Sequence, residues 1–150
     1  MFFRSYSNLD YLSVDIKSGR AMKEENITNL SFPDNSFDII FCSHVLEHIE
    51  DDRRAMGELH RVLKPGGFSL IAVPVKNNSK TFEDFSVVDP EERRKVFGQK
   101  DHVRIYGKDF KNRLEQSGFN VKVDKFAYSL SEDICNKYAL VREDIFFCTK

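Results

Sequence analysis

Two apolar runs frame the middle of the chain, Phe37 to Cys42 and Phe68 to Val75. Each is long enough for one buried strand. Between them Ala55, Met56, Leu59, Val62 and Leu63 recur at helical spacing, with Arg53, Arg54, Glu58 and Arg61 largely on the other side. Pro33-Asp34-Asn35-Ser36 is a cluster of turn formers ahead of the first run. Glu50, Asp51 and Asp52 place negative charge where the helix starts, which suits the positive end of its dipole. Lys64-Pro65-Gly66-Gly67 stops it, because proline cannot continue a helix and glycine supplies the freedom for a turn. The pattern is strand, helix, strand, which predicts a parallel sheet covered by helices.

The flanks are read in the same way. Tyr11 to Ile16 predicts a buried strand ending at Asp15, Ser18-Gly19-Arg20 a turn, and Glu25-Asn26-Ile27 a short strand. Beyond Val75, Lys76 to Lys80 is a polar loop. Asp89-Pro90-Glu91-Glu92 is a helix start, with Asp89 as N-cap and Pro90 at the first position, and that helix should end near Gly98. Gln99 to Gly107 reads as a loop, and its segment His102-Val103-Arg104-Ile105-Tyr106 could serve as a surface loop or as a lid over a cleft. Lys108 to Ser117 predicts a helix, Phe119 to Val123 a strand, Ser131-Glu132-Asp133 the start of a short helix, and Asp144 to Thr149 a closing strand. No repeat or interdomain linker interrupts the 150 residues, which suit a single domain.

Composition narrows the function. The chain is 41% hydrophobic and 31% charged with a net charge of −1, so a nucleic-acid-binding surface is not expected. Arg93-Arg94-Lys95 follows Glu91-Glu92 and reads as a solvated helix face. No apolar stretch approaches the roughly 18 residues of a membrane span, so no membrane partner is expected. Cys42, Cys135 and Cys148 lack paired CxxC spacing and suggest reduced thiols in a cytoplasmic protein.

Phe32-Pro33-Asp34-Asn35-Ser36-Phe37-Asp38, then His44-Val45-Leu46-Glu47-His48, then Leu63-Lys64-Pro65-Gly66-Gly67, in this order and spacing, resemble the class I S-adenosylmethionine-dependent methyltransferases of the type 11 kind. The resemblance runs from about Leu9 to about Thr149. It implies a Rossmann-like three-layer α/β/α sandwich and an enzyme that transfers a methyl group to an unknown acceptor, such as a small molecule. It also implies S-adenosylmethionine as cofactor. Asp15, at the carboxyl end of a strand, would accept the ribose hydroxyls, with Ile16 beside it. Asn26 stands where the family often carries an Asp for the adenine amino group, and Ile27 would pack on the adenine face. Ser43 and His44 would face the amino-acid end. His44, Glu47 and His48 are the candidate catalytic cluster, because histidine can take a proton near neutral pH if the acceptor must lose one. Each has a plainer structural reading as a turn, cap or loop residue.

His44-Val45-Leu46-Glu47-His48 also fits H-x-x-E-H, the inverted zinc-hydrolase motif. On a helix, His44 and His48 would share a face and bind zinc. The motif comes straight off a strand, between stretches of methyltransferase pattern, so no metal ligands are assigned. A second rival is a non-catalytic remnant serving as scaffold or interaction module.

The resembled fold begins with a strand and a glycine-rich loop before Asn8, and only seven residues stand there. The expectation is an N-terminally truncated domain whose sheet order, three-two-one-four-five-seven-six, lacks central strand one. The strands at Tyr11 to Asp15 and Phe37 to Cys42 would then face each other unpaired, at about 1–3 kcal/mol for each buried unpaired group. Direct parallel pairing of the two strands, or a homodimer with weak or absent cofactor binding, would relieve that cost.

Overall fold

In the computed structural model the strand-helix-strand unit forms as its pattern requires. The structure describes residues 8–76 and 80–150, so the expectations for Met1 to Ser7 and for part of the 76–80 loop lie outside the described residues. β1 (Val14–Asp15) and β2 (Lys23–Glu24) make a small parallel pair. β3 (Phe37–Ser43) enters the main sheet and leads to helix α1 (Asp52–Val62) and strand β4 (Leu63–Ala72). β5 (Phe82–Glu83), α2 (Pro90–Phe97), β6 (Arg104–Ile105), α3 (Phe110–Gln116), β7 (Asn120–Asp124), α4 (Glu132–Tyr138) and β8 (Ile145–Thr149) follow.

The main sheet has the order β3-β4-β8-β7, with β3 parallel to β4 and β8 antiparallel to both neighbours. This is the order four-five-seven-six expected for that part of the sheet, with the antiparallel pair closing it. Register places Cys42, Ile71, Phe146 and Val123 in one row across it. Their face packs on Ala55, Met56 and Leu59 of α1 and on Phe110 and Leu114 of α3, and together these form the core. The opposite face carries Ile39 and Phe41, 45% and 55% exposed, beside the half-buried Phe68, Leu70 and Phe147. The rings of Phe68 and Phe147 stack there at 5.2 Å.

Local signals set the helix ends. The Asp51 side chain accepts from the Arg54 amide at 3.1 Å, and Asp89 accepts from the Glu91 and Glu92 amides at 3.0 and 2.9 Å. Gly98 closes α2 at φ 93°. After α1 the chain reverses through Gly66 at φ 80° and Gly67, where a Cβ would lie 2.7 Å from the Asp38 carbonyl oxygen. Arg61 then ties α1 back to the segment before β3, donating to the Leu30 and Phe32 carbonyls at 3.0 and 2.8 Å and to Glu58 and Asp34.

The N-terminal region departs from expectation. Only Val14–Asp15 of the 11–16 run forms a strand, and Val14 and Ile16 are 45% and 60% exposed. The second short strand lies at Lys23–Glu24, ahead of 25–27, because Asn26 enters a turn closed by the Asn29 amide on its carbonyl at 2.9 Å. β1 and β3 do not close up on each other, and among the described residues no ladder joins the β1–β2 pair to the main sheet. An unpaired backbone group carries that cost only where it is buried. The flanking side chains are exposed, so water can reach this edge.

Four carboxyls among the described residues are held below their ordinary range, Asp84 by the hydroxyl and amide of Ser86. Burial would raise Glu25, but bonds from Lys23 and Ser31 outweigh it and bring it down to about 2. Arg61 lowers Glu58. Burial opposes the same shift at Glu83, where Arg113 and Arg104 prevail. Groups with depressed folded values contribute stability above the unfolded value near 4.5 and lose it as pH falls through the folded value. Urea midpoints should therefore drop between pH 4.5 and about 2, and Glu25→Gln should flatten that drop. An unchanged slope in Glu25→Gln would contradict the assignment.

Candidate functional site

The sharpest backbone feature follows the carboxyl end of β3. His44 adopts a left-handed conformation, φ 53°, and its amide donates to the Ala72 carbonyl at 2.9 Å. The chain then makes a 3-10 turn at Leu46–His48 before Asp51 caps α1. Leu46 is drawn into the core, and the turn carries Glu47 inside with it, leaving it 1% exposed.

That turn is held by Arg104. Its guanidinium donates to the Leu46 carbonyl at 3.0 Å, to Glu50 O at 2.8 Å and to Ile49 O. It also bonds Glu83 at 3.0 Å and lies 3.7 Å from Asp52. Arg113 bridges the same two acids at 3.0 Å each, and the Tyr106 hydroxyl donates to Asp52 at 2.9 Å. Two guanidiniums thus meet two carboxylates in one network. Burial and the adjoining Asp52 push the Tyr106 hydroxyl far above its usual range.

The segment 102–106 is therefore neither a lid nor a surface loop. His102, Val103, Arg104 and Tyr106 are buried, and Arg104–Ile105 pairs with β5. The carbonyls ending the 3-10 turn need donors, and a forked guanidinium compensated by Asp52 and Glu83 supplies them.

Around Glu47 the titratable groups converge. His44 Nδ1 lies 3.3 Å from Glu47 Oε1, and its Nε2 lies 3.2 Å from Glu143 Oε2. His48 Nδ1 lies 3.1 Å from the Asp101 carbonyl oxygen. The rings of His48 and His102 meet edge to face at 4.8 Å. Ligand atoms of Glu47, His48 and His102 all fall within 4.8 Å of one another. Burial, then His48 beside it, pushes the His102 imidazole below its ordinary value. A cavity of about 220 Å³ opens beside Glu47, His102 and Arg104. A larger surface depression of about 440 Å³, along Arg94 to Asp101, is lined by none of Glu47, His48 and His102.

The structure thus gathers His44, Glu47 and His48, and adds His102, which sequence reasoning placed in an open loop. The H-x-x-E-H geometry does not form. His44 sits in left-handed backbone ahead of a three-residue turn, so it shares no helix face with His48. Asp15 ends β1 half-buried, with Oδ1 accepting from the Lys17 amide at 2.8 Å. Ser43 and His44 stand exposed at the end of β3, and Ile27 packs against the core. Asn26 Oδ1 is engaged by the Thr28 amide and hydroxyl at 3.0 and 2.8 Å, an Asx turn that uses the oxygen assigned to adenine.

Residues 6–71 match the family described as methyltransferase domain. An uncharacterised methyltransferase of Schizosaccharomyces pombe is 39% identical over 70 residues, covering 40% of this chain and 25% of that protein. A ubiquinone/menaquinone biosynthesis C-methyltransferase of Hydrogenovibrio crunogenus is 33% identical over 69 residues, covering 42% of this chain and 27% of its own length. The matches span about a quarter of these curated relatives. Among solved structures, the [4+2]-cyclase SpnF superposes with a TM-score of 0.50 at 25% identity, over 68% of this chain and 33% of that one. An S-adenosylmethionine-dependent methyltransferase of Mesorhizobium loti superposes at 0.55 and 18% identity, over 84% and 66%.

Arg104 is the test of this construction. Arg104→Met should cost about 3–5 kcal/mol in urea unfolding, since it leaves three carbonyls without their donor and Asp52 and Glu83 sharing the single guanidinium of Arg113. Arg104→Lys should recover little, because an ammonium cannot reproduce the fork. A loss below about 1 kcal/mol, the scale of an exposed pair, would contradict the clamp.

Proposed function

We propose, from the match of residues 6–71 to the methyltransferase domain family, that the chain is a class I S-adenosylmethionine-dependent methyltransferase, or the C-terminal part of one, acting on a small-molecule acceptor. The observation that carries this reading is the ordered motif match together with Asp15 and Ser43-His44 at the carboxyl ends of β1 and β3, where open α/β sheets bind ligands. S-adenosylmethionine, when bound, supplies a methyl group on a sulfonium sulfur. Asp15 fits the ribose role, since its second oxygen is free to accept while Oδ1 holds the Lys17 amide. Ile16 and Ile27 give apolar surface for adenine, and Ser43 and His44 face the amino-acid end. Asn26 keeps only its amide N–H groups for this purpose.

His44 is the group suited to accept a proton from the acceptor. Glu47 and Glu143 flank its two ring nitrogens and would stabilise the imidazolium. Glu47, 3.3 Å from its Nδ1, positions that ring. A cytoplasmic setting is supported by three buried free thiols, of which Cys42 and Cys148 are pushed up to about 12 by burial.

Binding of S-adenosylhomocysteine, followed by calorimetry, tests the reading. Asp15→Ala should weaken it at least tenfold, in line with about 1.5–3 kcal/mol for hydrogen bonds to a charged acceptor. Unchanged affinity in that variant would remove the ribose assignment. The rival reading, a non-catalytic scaffold, is favoured by the lack of a ladder between β1 and β3 among the described residues. Absence of any binding at millimolar ligand would support that rival. The same scaffold also serves a protein named as a cyclase, so fold alone does not fix the reaction.

The apolar face on which Ile39 is exposed beside the stacked Phe68 and Phe147 supports a homodimer. Light scattering at micromolar concentration should give about twice 17.5 kDa. A mass of one chain across that range would defeat the dimer.

A further inference from the structure

Glu47 poses a problem that the methyltransferase reading leaves open. Its residue is 1% exposed, and neither carboxylate oxygen accepts a hydrogen bond. The one ionic contact is the His44 ring, half exposed and shared with Glu143. The adjoining Arg104 lines the same cavity, but its donors are taken by three carbonyls and Glu83. Arg104 and Arg113 balance Asp52 and Glu83, which leaves no guanidinium over for Glu47. A buried carboxylate without partners is costly, and a cation would relieve it.

Two imidazoles stand beside it in the arrangement a metal ligand takes. His48 Nδ1 lies 3.1 Å from a carbonyl oxygen, which can only accept, so Nδ1 carries the proton and Nε2 keeps its lone pair. Metal-bound histidines are commonly oriented by such a bond from the other ring nitrogen. His102, 6% exposed, sets its ring against His48 at 4.8 Å. We propose that Glu47, His48 and His102 bind one divalent transition-metal ion of the zinc class, with its fourth position open to the cavity. The ligand atoms now lie within 4.8 Å of one another. On a tetrahedral ion with bonds of about 2.0–2.1 Å they would stand roughly 3.3 Å apart, a closure within reach of side-chain rotation. Two imidazoles and one carboxylate suit zinc or cobalt, whereas calcium and magnesium prefer oxygen ligands alone.

The site differs from the H-x-x-E-H arrangement in its second histidine, which comes from the segment before β6. Bound metal would join the turn after β3 to that segment, alongside the Arg104 clamp.

The test is a titration of the untagged, chelator-treated chain with Co2+, read by its visible ligand-field bands, followed by displacement with Zn2+. One ion per chain with a four-coordinate spectrum is expected. His48→Gln and His102→Gln should each weaken binding tenfold or more, and His60→Gln, on α1, should not. Circular dichroism checks folding. If His102→Gln is unfolded, the isosteric Glu47→Gln carries the same expectation. Three results would overturn the proposal: no saturable binding at millimolar metal, binding that survives in folded His102→Gln or Glu47→Gln, or binding lost in His44→Gln but kept in His102→Gln.

Discussion

A guanidinium whose side chain has no exposed surface holds this molecule's chemistry in place. Arg104 reaches the carbonyls of Leu46, Ile49 and Glu50, the residues that lead from β3 into α1. A 3-10 turn of three residues has little stability of its own, and its free carbonyls need donors. With Arg104 in place, Leu46 stays in the core, Glu47 stays inside, and Asp52 is presented to Tyr106 and Arg113. The desolvation of one cation is tolerable because Glu83 and Asp52 lie beside it and each of its three nitrogens donates a hydrogen bond. The same contacts tie the sheet's central crossover to its C-terminal half, so packing and site geometry rest on a single side chain.

The sequence disclosed whatever is local. Asp89 before Pro90 and Gly98 after Phe97 bounded α2, because capping needs only neighbouring residues. The apolar runs around α1 revealed the parallel unit, and the strands at 119–123 and 144–149 were legible, with their antiparallel pairing implied by the family resemblance. The cluster of His44, Glu47 and His48 was visible as a motif. What lay hidden was nonlocal. Arg104 and His102 sit in a stretch that reads as a polar loop, and their partners are far away in the chain. Only the folded sheet brings the 102–106 segment under the turn after β3. A run of alternating polar and apolar residues carrying one Arg was the sole signal, and it names no partner. Asn26 failed for the opposite reason: its oxygen is claimed two residues away by Thr28, a turn preference that family resemblance overrode.

The N-terminal side shows how little of an apolar run becomes strand without a ladder to the main sheet among the described residues. Tyr11 to Ile16 has the composition of a buried strand, yet only Val14–Asp15 pairs, and Ile16 is 60% exposed. β propensity reflects a fit to a half-buried pleated surface, and that surface is incomplete here. The main sheet is less affected, because β4 is flanked on both sides and its core face is sealed by α1 and α3. Stability and cofactor binding thus depend on different parts of the chain. The core beneath β3, β4 and β8 is closed, whereas the proposed ribose and amino-acid contacts would fall at the ends of β1 and β3.

The most direct test of the cofactor account is amide chemical-shift mapping of this 150-residue chain with S-adenosylhomocysteine. Fast-exchange shifts report even weak binding and locate it residue by residue. The account predicts shifts concentrated at Asp15 to Lys17 and Ser43 to Val45, with the core of α3 and β7 undisturbed. Saturable shifts centred elsewhere, or none at millimolar ligand, would contradict it.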